Sequence, residues 1–210
     1  MKEAISVVQN VKPDVLVVQG TDAGGHGLAQ GASLITLLPE VADALAALPY
    51  KPVLIAAGGI IEARGASSAL LLGASGVVLG TRFLACPEAN IAAGYRNEVL
   101  RASDGGQTTA RTKVYDTLRG TTGWAETHNA RGILNKSYWD AKDGMSLEEN
   151  KRLYGEEMGR GDEGWGEENR MTAYAGSGVG LVREVKGAGE IVKEVREGTR
   201  RLVEGAKAQL

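Results

Sequence analysis

The chain has 210 residues with 24 basic and 26 acidic side chains, so it is long enough for one domain with a substantial core, and its near-neutral charge argues against nucleic-acid binding. No apolar run reaches the roughly 18 residues of a membrane span, and no apolar segment of a secretory signal follows Met1. The single cysteine, Cys86, excludes an internal disulfide and fits a reducing, cytoplasmic location.

The first half of the chain predicts strands that alternate with helices. Residues 1–12 have helical spacing, and the apolar run at 15–18 is typical of a strand buried on both faces of a parallel sheet. Two further buried strands are predicted at 53–57 and 76–80. The connecting and following helices are predicted at 33–48, with a kink or boundary at Pro39, at 64–73 and at 87–102. This βαβαβα order indicates a parallel sheet with right-handed crossovers.

The apolar periodicity fades from about residue 105. Residues 112–116 are predicted as a short strand, and 130–135 as the start of a helix. A capping-box pattern at Ser146 predicts a polar helix to about residue 158. The charged helical spacing over 182–208 predicts one or two surface helices with a break near 187–189.

One histidine follows the first predicted strand through a glycine-rich turn. Residues 19–27 read Gln-Gly-Thr-Asp-Ala-Gly-Gly-His-Gly, and the glycines allow a tight turn and a close approach to a ligand. Parallel α/β folds place their chemistry at the carboxyl ends of strands, and imidazole exchanges protons near neutral pH. We therefore expect His26 to take or steer a proton beside a ligand. The alternative is a structural histidine bonded to nearby backbone.

Two more glycine turns follow the second and third strands. Gly58-Gly59 and Gly80-Thr81 are predicted to form a phosphate cradle from backbone N–H groups, with ordinary strand-to-helix turns as the alternative. Gln19 either satisfies loop backbone or bonds the polar edge of a planar cofactor. Arg82 either neutralises a phosphate or pairs with a surface carboxylate, and the second is favoured.

The remaining candidates point to no further chemistry. Cys86 is expected to be buried and inert, and His128 to lie at the surface. The sequence shows no phosphate-binding P-loop, no serine nucleophile elbow and no spacing of metal ligands. No metal is therefore expected.

Five motifs between residues 14 and 183 resemble, in order, those of the nitronate monooxygenase (2-nitropropane dioxygenase) family. They lie at 19–27, 57–60, 79–84, 130–135 and 175–180. The resemblance implies the C-terminal part of an FMN-dependent (β/α)₈ TIM barrel, namely its last three βα units, with a smaller, mainly helical cap. It implies a partial barrel at 1–104, a cap at 105–180 and C-terminal helices at 181–210 that return to the barrel.

The resemblance also implies roles for individual residues. His26 would be the catalytic base or the residue that orients the substrate. The expected cofactor-binding residues are Gln19, Gly24, Gly25, Gly58, Gly59, Val78, Leu79, Gly80 and Thr81, of which 78–81 would hold the FMN phosphate. The reaction would convert an alkyl nitronate and O₂ to a carbonyl compound and nitrite.

Other functions and partners are compatible with the same residues. An NAD(P)H:quinone reductase or an enoyl reductase would share the glycine turns, and a non-catalytic remnant is the alternative of a different class. Three strands leave sheet edges open, so self-association or pairing with a missing N-terminal half is expected.

Overall fold

The computed structural model describes residues 1–207 and contains one parallel and one antiparallel sheet. The elements up to the last parallel strand are α1 Lys2–Asn10, β1 Val15–Gln19, β2 Gly25–Leu28, α2 Leu34–Ala46, β3 Val53–Ala57, α3 Ala63–Leu71 and β4 Gly76–Val78. The elements that follow are α4 Thr81–Leu84, α5 Ala93–Arg101, α6 Gly105–Thr108, β5 Thr109–Thr112, α7 Val114–Arg119, β6 His128–Ile133, α8 Lys136–Lys142, α9 Leu147–Met158 and α10 Ala188–Lys207.

The parallel sheet has the strand order β1-β3-β4. Gln19 pairs with Ala57, and Ala57 pairs with Val78, so the carboxyl ends of the three strands lie side by side at the same end of the sheet. The core behind the sheet is formed by apolar side chains of the strands and of α2 and α3, including the fully buried Leu38 and Ala56. Strands at the three apolar runs are therefore confirmed. Their predicted burial on both faces is wrong, because Val15 and Val17 of β1 are each 51% exposed and Val53 of β3 is 47% exposed.

The antiparallel sheet has the order β2-β6-β5 and includes the predicted histidine loop. Residues Gly25–Leu28 are strand β2, with His26 paired to Ala130, whereas the sequence predicted a loop there. The prediction of a helix at 130–135 is wrong, because these residues lie mostly in β6, between β2 and β5. The prediction of a strand at 112–116 is also wrong, since helix α7 begins at Val114.

Several helix bounds differ from the predicted ones. Helix α2 is continuous through Pro39, and α5 begins at Ala93 rather than at Pro87. The predicted break at 187–189 is the start of α10, whereas residues 208–210 lie outside the described part of the chain.

Helix α10 packs against α3. A Cβ added to Gly198 would lie 2.6 Å from the Cβ of Ala63, so glycine permits the close approach of these two helices. Across residues 1–207, no helix combines the length and the apolar character that crossing a bilayer requires. The division of the chain into a partial barrel, a cap and C-terminal helices at residues 104 and 180 stays a prediction.

Candidate functional site

The turns after β1, β3 and β4 converge on one cavity of about 310 Å³. The backbone N–H of Gly20 donates to the carbonyl oxygen of Ala57 over 3.0 Å and joins the first two turns. Eight of the nine residues expected to bind the cofactor line this cavity: Gln19, Gly24, Gly25, Gly58, Gly59, Val78, Gly80 and Thr81. The ninth, Leu79, packs its side chain against the core behind the sheet.

The turn after β3 requires both of its glycines. Gly58 and Gly59 have φ angles of +102° and +73°, which L side chains rarely adopt. A Cβ on Gly58 would lie 3.0 Å from the carbonyl oxygen of Gly20, and a Cβ on Gly59 would lie 3.0 Å from the Cβ of Asp22. Glycine therefore allows the first two turns to touch.

The cavity presents backbone donors that the protein itself does not use. Within residues 1–207, no protein acceptor bonds the N–H groups of Gly58, Gly59 or Gly80. A Cβ added to Gly80 would meet no atom within 4 Å, so the open space begins at its α carbon. Thr81 adds a hydroxyl, which accepts a 2.9 Å hydrogen bond from the N–H of Gly176 and keeps its own hydrogen to donate. This donor set fits a phosphate group.

Gln19 stands between this cavity and a neighbouring groove. Its Nε2 donates over 3.1 Å to the backbone carbonyl of His26, which is the loop-bracing role considered as an alternative. Gln19 also lines both spaces, and His26 lines only the groove, whose volume is about 670 Å³.

His26 lies among aromatic and acidic side chains from distant parts of the sequence. Its Nε2 is 3.0 Å from both carboxylate oxygens of Asp116. Its ring stacks on Trp124 with a centroid distance of 3.8 Å and an interplanar angle of 10°. The ring centroid of Tyr174, which lines the cavity, is 5.6 Å away. His26 is thus oriented by side chains, rather than by backbone as the structural alternative supposed.

Asp116 is 5% exposed, and its carboxylate accepts hydrogen bonds from three side chains. Besides His26, the Thr121 hydroxyl donates to Oδ1 over 2.9 Å, and the Tyr174 hydroxyl donates to the same oxygen over 3.1 Å. Burial, together with the nearby Asp116 carboxylate, raises the pKa of Tyr174 well above its usual range. Sequence reasoning missed Asp116, Trp124 and Tyr174, because no local spacing connects them to the histidine turn.

Two arginines support the histidine turn from the antiparallel sheet. Arg111 and Arg131 are directly paired across β5 and β6, and both donate over 3.2 Å to the carbonyl oxygen of Thr21. Arg111 also donates to the carbonyl oxygen of Ala23 over 3.1 Å. Burial lowers the pKa of both guanidinium groups. Sequence reasoning missed these two residues as well.

The other candidates lie apart from the cavity. Arg82 is buried, donates to the backbone carbonyl of Glu184 over 3.2 Å and forms no ion pair with a carboxylate of residues 1–207, so the favoured surface pairing is wrong. Cys86 is buried as expected. His128 is half-buried rather than a surface residue; it contacts the Thr127 hydroxyl at 3.0 Å and lines the groove that His26 lines. Residues 1–207 contain no group of three or more His, Cys, Asp or Glu side chains suited to a metal ion.

The family model for nitronate monooxygenase matches residues 1–198. The chain belongs to the nitronate monooxygenase family. It is 48% identical over 201 residues to the nitronate monooxygenase npaC of Metarhizium robertsii, an alignment that covers 94% of this chain and 55% of that protein. The chain spans about half the length of the curated nitronate monooxygenases it matches.

Solved structures agree with this family in fold. FabK from Thermotoga maritima has a TM-score of 0.75 at 24% identity, covering 100% of this chain and 61% of that one. The nitroalkane oxidase of Streptomyces ansochromogenes has a TM-score of 0.73 at 21% identity, covering 98% and 56%. The predicted fold class, part of a TIM barrel with a smaller cap, is confirmed together with the predicted family.

Proposed function

We propose that this nitronate monooxygenase family chain forms the flavin-binding and substrate-facing part of an enzyme that oxidises alkyl nitronates with O₂ to a carbonyl compound and nitrite. The observation that carries the proposal is the position of His26. It lies beside a cavity whose free N–H donors come from three neighbouring strand ends. The family match and the similarity to nitronate monooxygenases support the substrate class.

We propose FMN as the flavin because the donor set at one end of the cavity fits a phosphate. The N–H groups of Gly58, Gly59 and Gly80 and the hydroxyl of Thr81 would hold that phosphate, with segment 78–81 as its outer wall. The other proposed contacts are Gln19, Gly24 and Gly25, beside the flavin ring. When bound, the flavin supplies a path for electrons from the nitronate to O₂.

His26 would face the substrate from the groove next to the cavity. There its imidazole would accept a proton from the carbon of a nitro compound or orient the nitronate by a hydrogen bond. Gln19 holds the backbone carbonyl of His26 and therefore fixes the distance between the histidine and the first glycine turn.

The open edges of the parallel sheet support a proposed partner. Strands β1 and β4 are its outer strands, so each has one side on which no further strand of this sheet pairs. One face of β1 is also open, since Val15 and Val17 are each 51% exposed. Such edges pair with further strands, so we propose that the chain associates with itself or with a missing N-terminal half. Light scattering on the purified chain measures self-association. Co-expression with the N-terminal half of a relative tests pairing with that half.

The single cysteine supports a cytoplasmic location.

The first test is flavin binding. FMN is titrated into the purified chain, alone and with the N-terminal half, while the visible flavin absorbance is recorded. Gly80→Leu, which fills the cavity, is expected to abolish binding. Gly189→Leu is the matched control, because Gly189 also has open space around its α carbon and lies in α10. Absence of binding in both preparations would favour the non-catalytic remnant.

The second test separates the proposed oxidation from the reductase alternatives. Nitrite release from propyl-2-nitronate is compared with NAD(P)H consumption in the presence of a quinone or an enoyl substrate. Nitrite release that depends on O₂ supports the proposal. NAD(P)H consumption without nitrite release from the nitronate would replace it with a reductase.

A further inference from the structure

We propose that Asp116 is a positioning residue that fixes the tautomer of His26, so that Nε2 carries the hydrogen and Nδ1 keeps the lone pair. The inference deepens the proposed function and rests on it, because only there does His26 face a substrate. Its geometry concerns this chain alone, so it is measured without flavin or turnover.

The contact between the two side chains leaves one arrangement of hydrogens. A carboxylate offers only acceptors, and both oxygens of Asp116 lie 3.0 Å from Nε2 of His26. The nitrogen must therefore donate. The Asp116 side chain is 7% exposed and that of His26 is 19% exposed, so little water competes for this hydrogen bond.

The carboxylate itself is held in place. The hydroxyls of Thr121 and Tyr174 both donate to Oδ1, at 2.9 and 3.1 Å. The backbone N–H of Thr121 donates to the carbonyl oxygen of Asp116 over 2.9 Å, and this bond holds Thr121 next to the Asp116 carboxylate. Tyr174 is anchored in turn, because the Tyr95 hydroxyl donates to its backbone carbonyl over 2.7 Å. Rotation of the carboxylate would break two hydrogen bonds.

The ring of His26 is oriented as well. Trp124 covers one face at 3.8 Å and nearly parallel, whereas Tyr174 lies tilted by 57° at 5.6 Å. Within residues 1–207, no protein group makes a hydrogen bond to Nδ1. The lone pair on Nδ1 is therefore left for a ligand in the groove that His26, Gln19 and Trp124 line together.

This arrangement supports proton transfer in one direction. When the carbon of a neutral nitro compound loses its proton, the C–H electron pair moves towards the nitro group to give the nitronate, and the proton joins Nδ1. The imidazolium that forms keeps its Nε2–H on Asp116, whose negative charge stabilises it and which remains unprotonated.

The test is nitrogen-15 NMR of the histidine rings in the full 210-residue chain, which contains two histidines. The wild-type spectrum is expected to show His26 as the Nε2–H tautomer, with that hydrogen protected from exchange with water. Asp116→Asn is expected to invert the tautomer. Thr121 and Tyr174 both donate to Oδ1, so the amide oxygen takes that position and the NH₂ group faces Nε2 as a donor.

Two controls accompany this variant. Tyr174→Phe removes a donor from the same carboxylate but leaves its charge, so His26 is expected to keep the Nε2–H tautomer. His128, whose Nδ1 contacts the Thr127 hydroxyl, is the internal reference and is expected to be unchanged throughout.

A folded Asp116→Asn variant in which His26 keeps both the wild-type population of the Nε2–H tautomer and its wild-type protection from exchange overturns the proposal, as does a wild-type spectrum with the hydrogen on Nδ1. Where Asp116→Asn does not fold by circular dichroism, the wild-type measurement decides: rapid exchange of the Nε2 hydrogen overturns the pairing, and protection supports it. An intact tautomer without nitrite release in the flavin-loaded enzyme would contradict the proposed function and leave the pairing intact.

Discussion

The hydroxyl of Thr81 accepts a 2.9 Å hydrogen bond from the backbone N–H of Gly176, which lies 95 residues further along the chain. The next residue, Ser177, donates its own N–H to the carbonyl oxygen of Asp22 over 3.0 Å. The motif after β4, the motif before α10 and the histidine turn therefore meet at one point. One side chain connects the proposed phosphate turn to the segment before α10.

Thr81→Val tests both roles of this hydroxyl. Valine keeps the shape but cannot accept from Gly176, so the free energy of unfolding is expected to fall by about 1–3 kcal/mol in urea denaturation. FMN affinity is expected to fall more than riboflavin affinity, because riboflavin has no phosphate. Equal losses for the two flavins would contradict the proposed phosphate contact.

Gly59→Ala tests the turn that brings the first two strand ends together. Its φ of +73° and the 3.0 Å approach to the Cβ of Asp22 predict a loss of about 1–3 kcal/mol in the free energy of unfolding. Gly155→Ala is the matched control, because Gly155 lies inside helix α9 with open space around it. Alanine there is expected to stabilise by about 0.5–1 kcal/mol. An unchanged free energy of unfolding in Gly59→Ala would show that the turn can shift to accommodate the added Cβ.

His26→Asn tests the proposed substrate contact. The variant is expected to retain FMN, since His26 lines the groove rather than the cavity, and to release nitrite about 10²–10⁴-fold more slowly. Glu204→Gln, at an exposed position of α10, is the control and is expected to keep the wild-type rate. Undiminished turnover in His26→Asn would remove the catalytic assignment.

The raised pKa of Tyr95 predicts that the free energy of unfolding falls at alkaline pH. Burial raises its pKa to about 12, above the value of about 10 for an unfolded tyrosine. The protonated form is therefore favoured in the folded chain, and this contribution is complete below pH 10 and lost as the pH rises towards 12. The loss is expected to reach about 2 kcal/mol, from denaturation at successive pH values.

Tyr95→Phe provides the comparison for that profile. It removes the 2.7 Å hydrogen bond to the carbonyl of Tyr174, so it is expected to cost about 1 kcal/mol at neutral pH. Its alkaline profile is expected to be flatter than that of the wild type. Parallel profiles would show that Tyr95 titrates normally.

The parallel sheet could be predicted from sequence because its signals are local. The apolar runs that become β1, β3 and β4 are followed directly by their glycine turns, and parallel pairing places those turns at one edge. The cavity residues followed from the same reasoning, except that Leu79 turns its side chain to the core.

The antiparallel sheet could not be predicted in this way. Strand β2 reads Gly-His-Gly-Leu, and β6 contains Ala-Arg-Gly-Ile, so neither shows an apolar alternation. These strands form because they pair with each other across about a hundred residues. Asp116 was missed for the same reason, since it lies on helix α7 and contacts His26 across 90 residues of sequence.

The proposed substrate contact and the proposed phosphate contacts belong to different sheets. His26 is carried by β2, which is paired to β6, whereas the phosphate turns follow β3 and β4 of the parallel sheet. Changes in β6 would thus shift the imidazole and leave the phosphate-binding turns in place. Relatives with this fold can therefore change substrate specificity through substitutions in β6 while they keep the same cofactor.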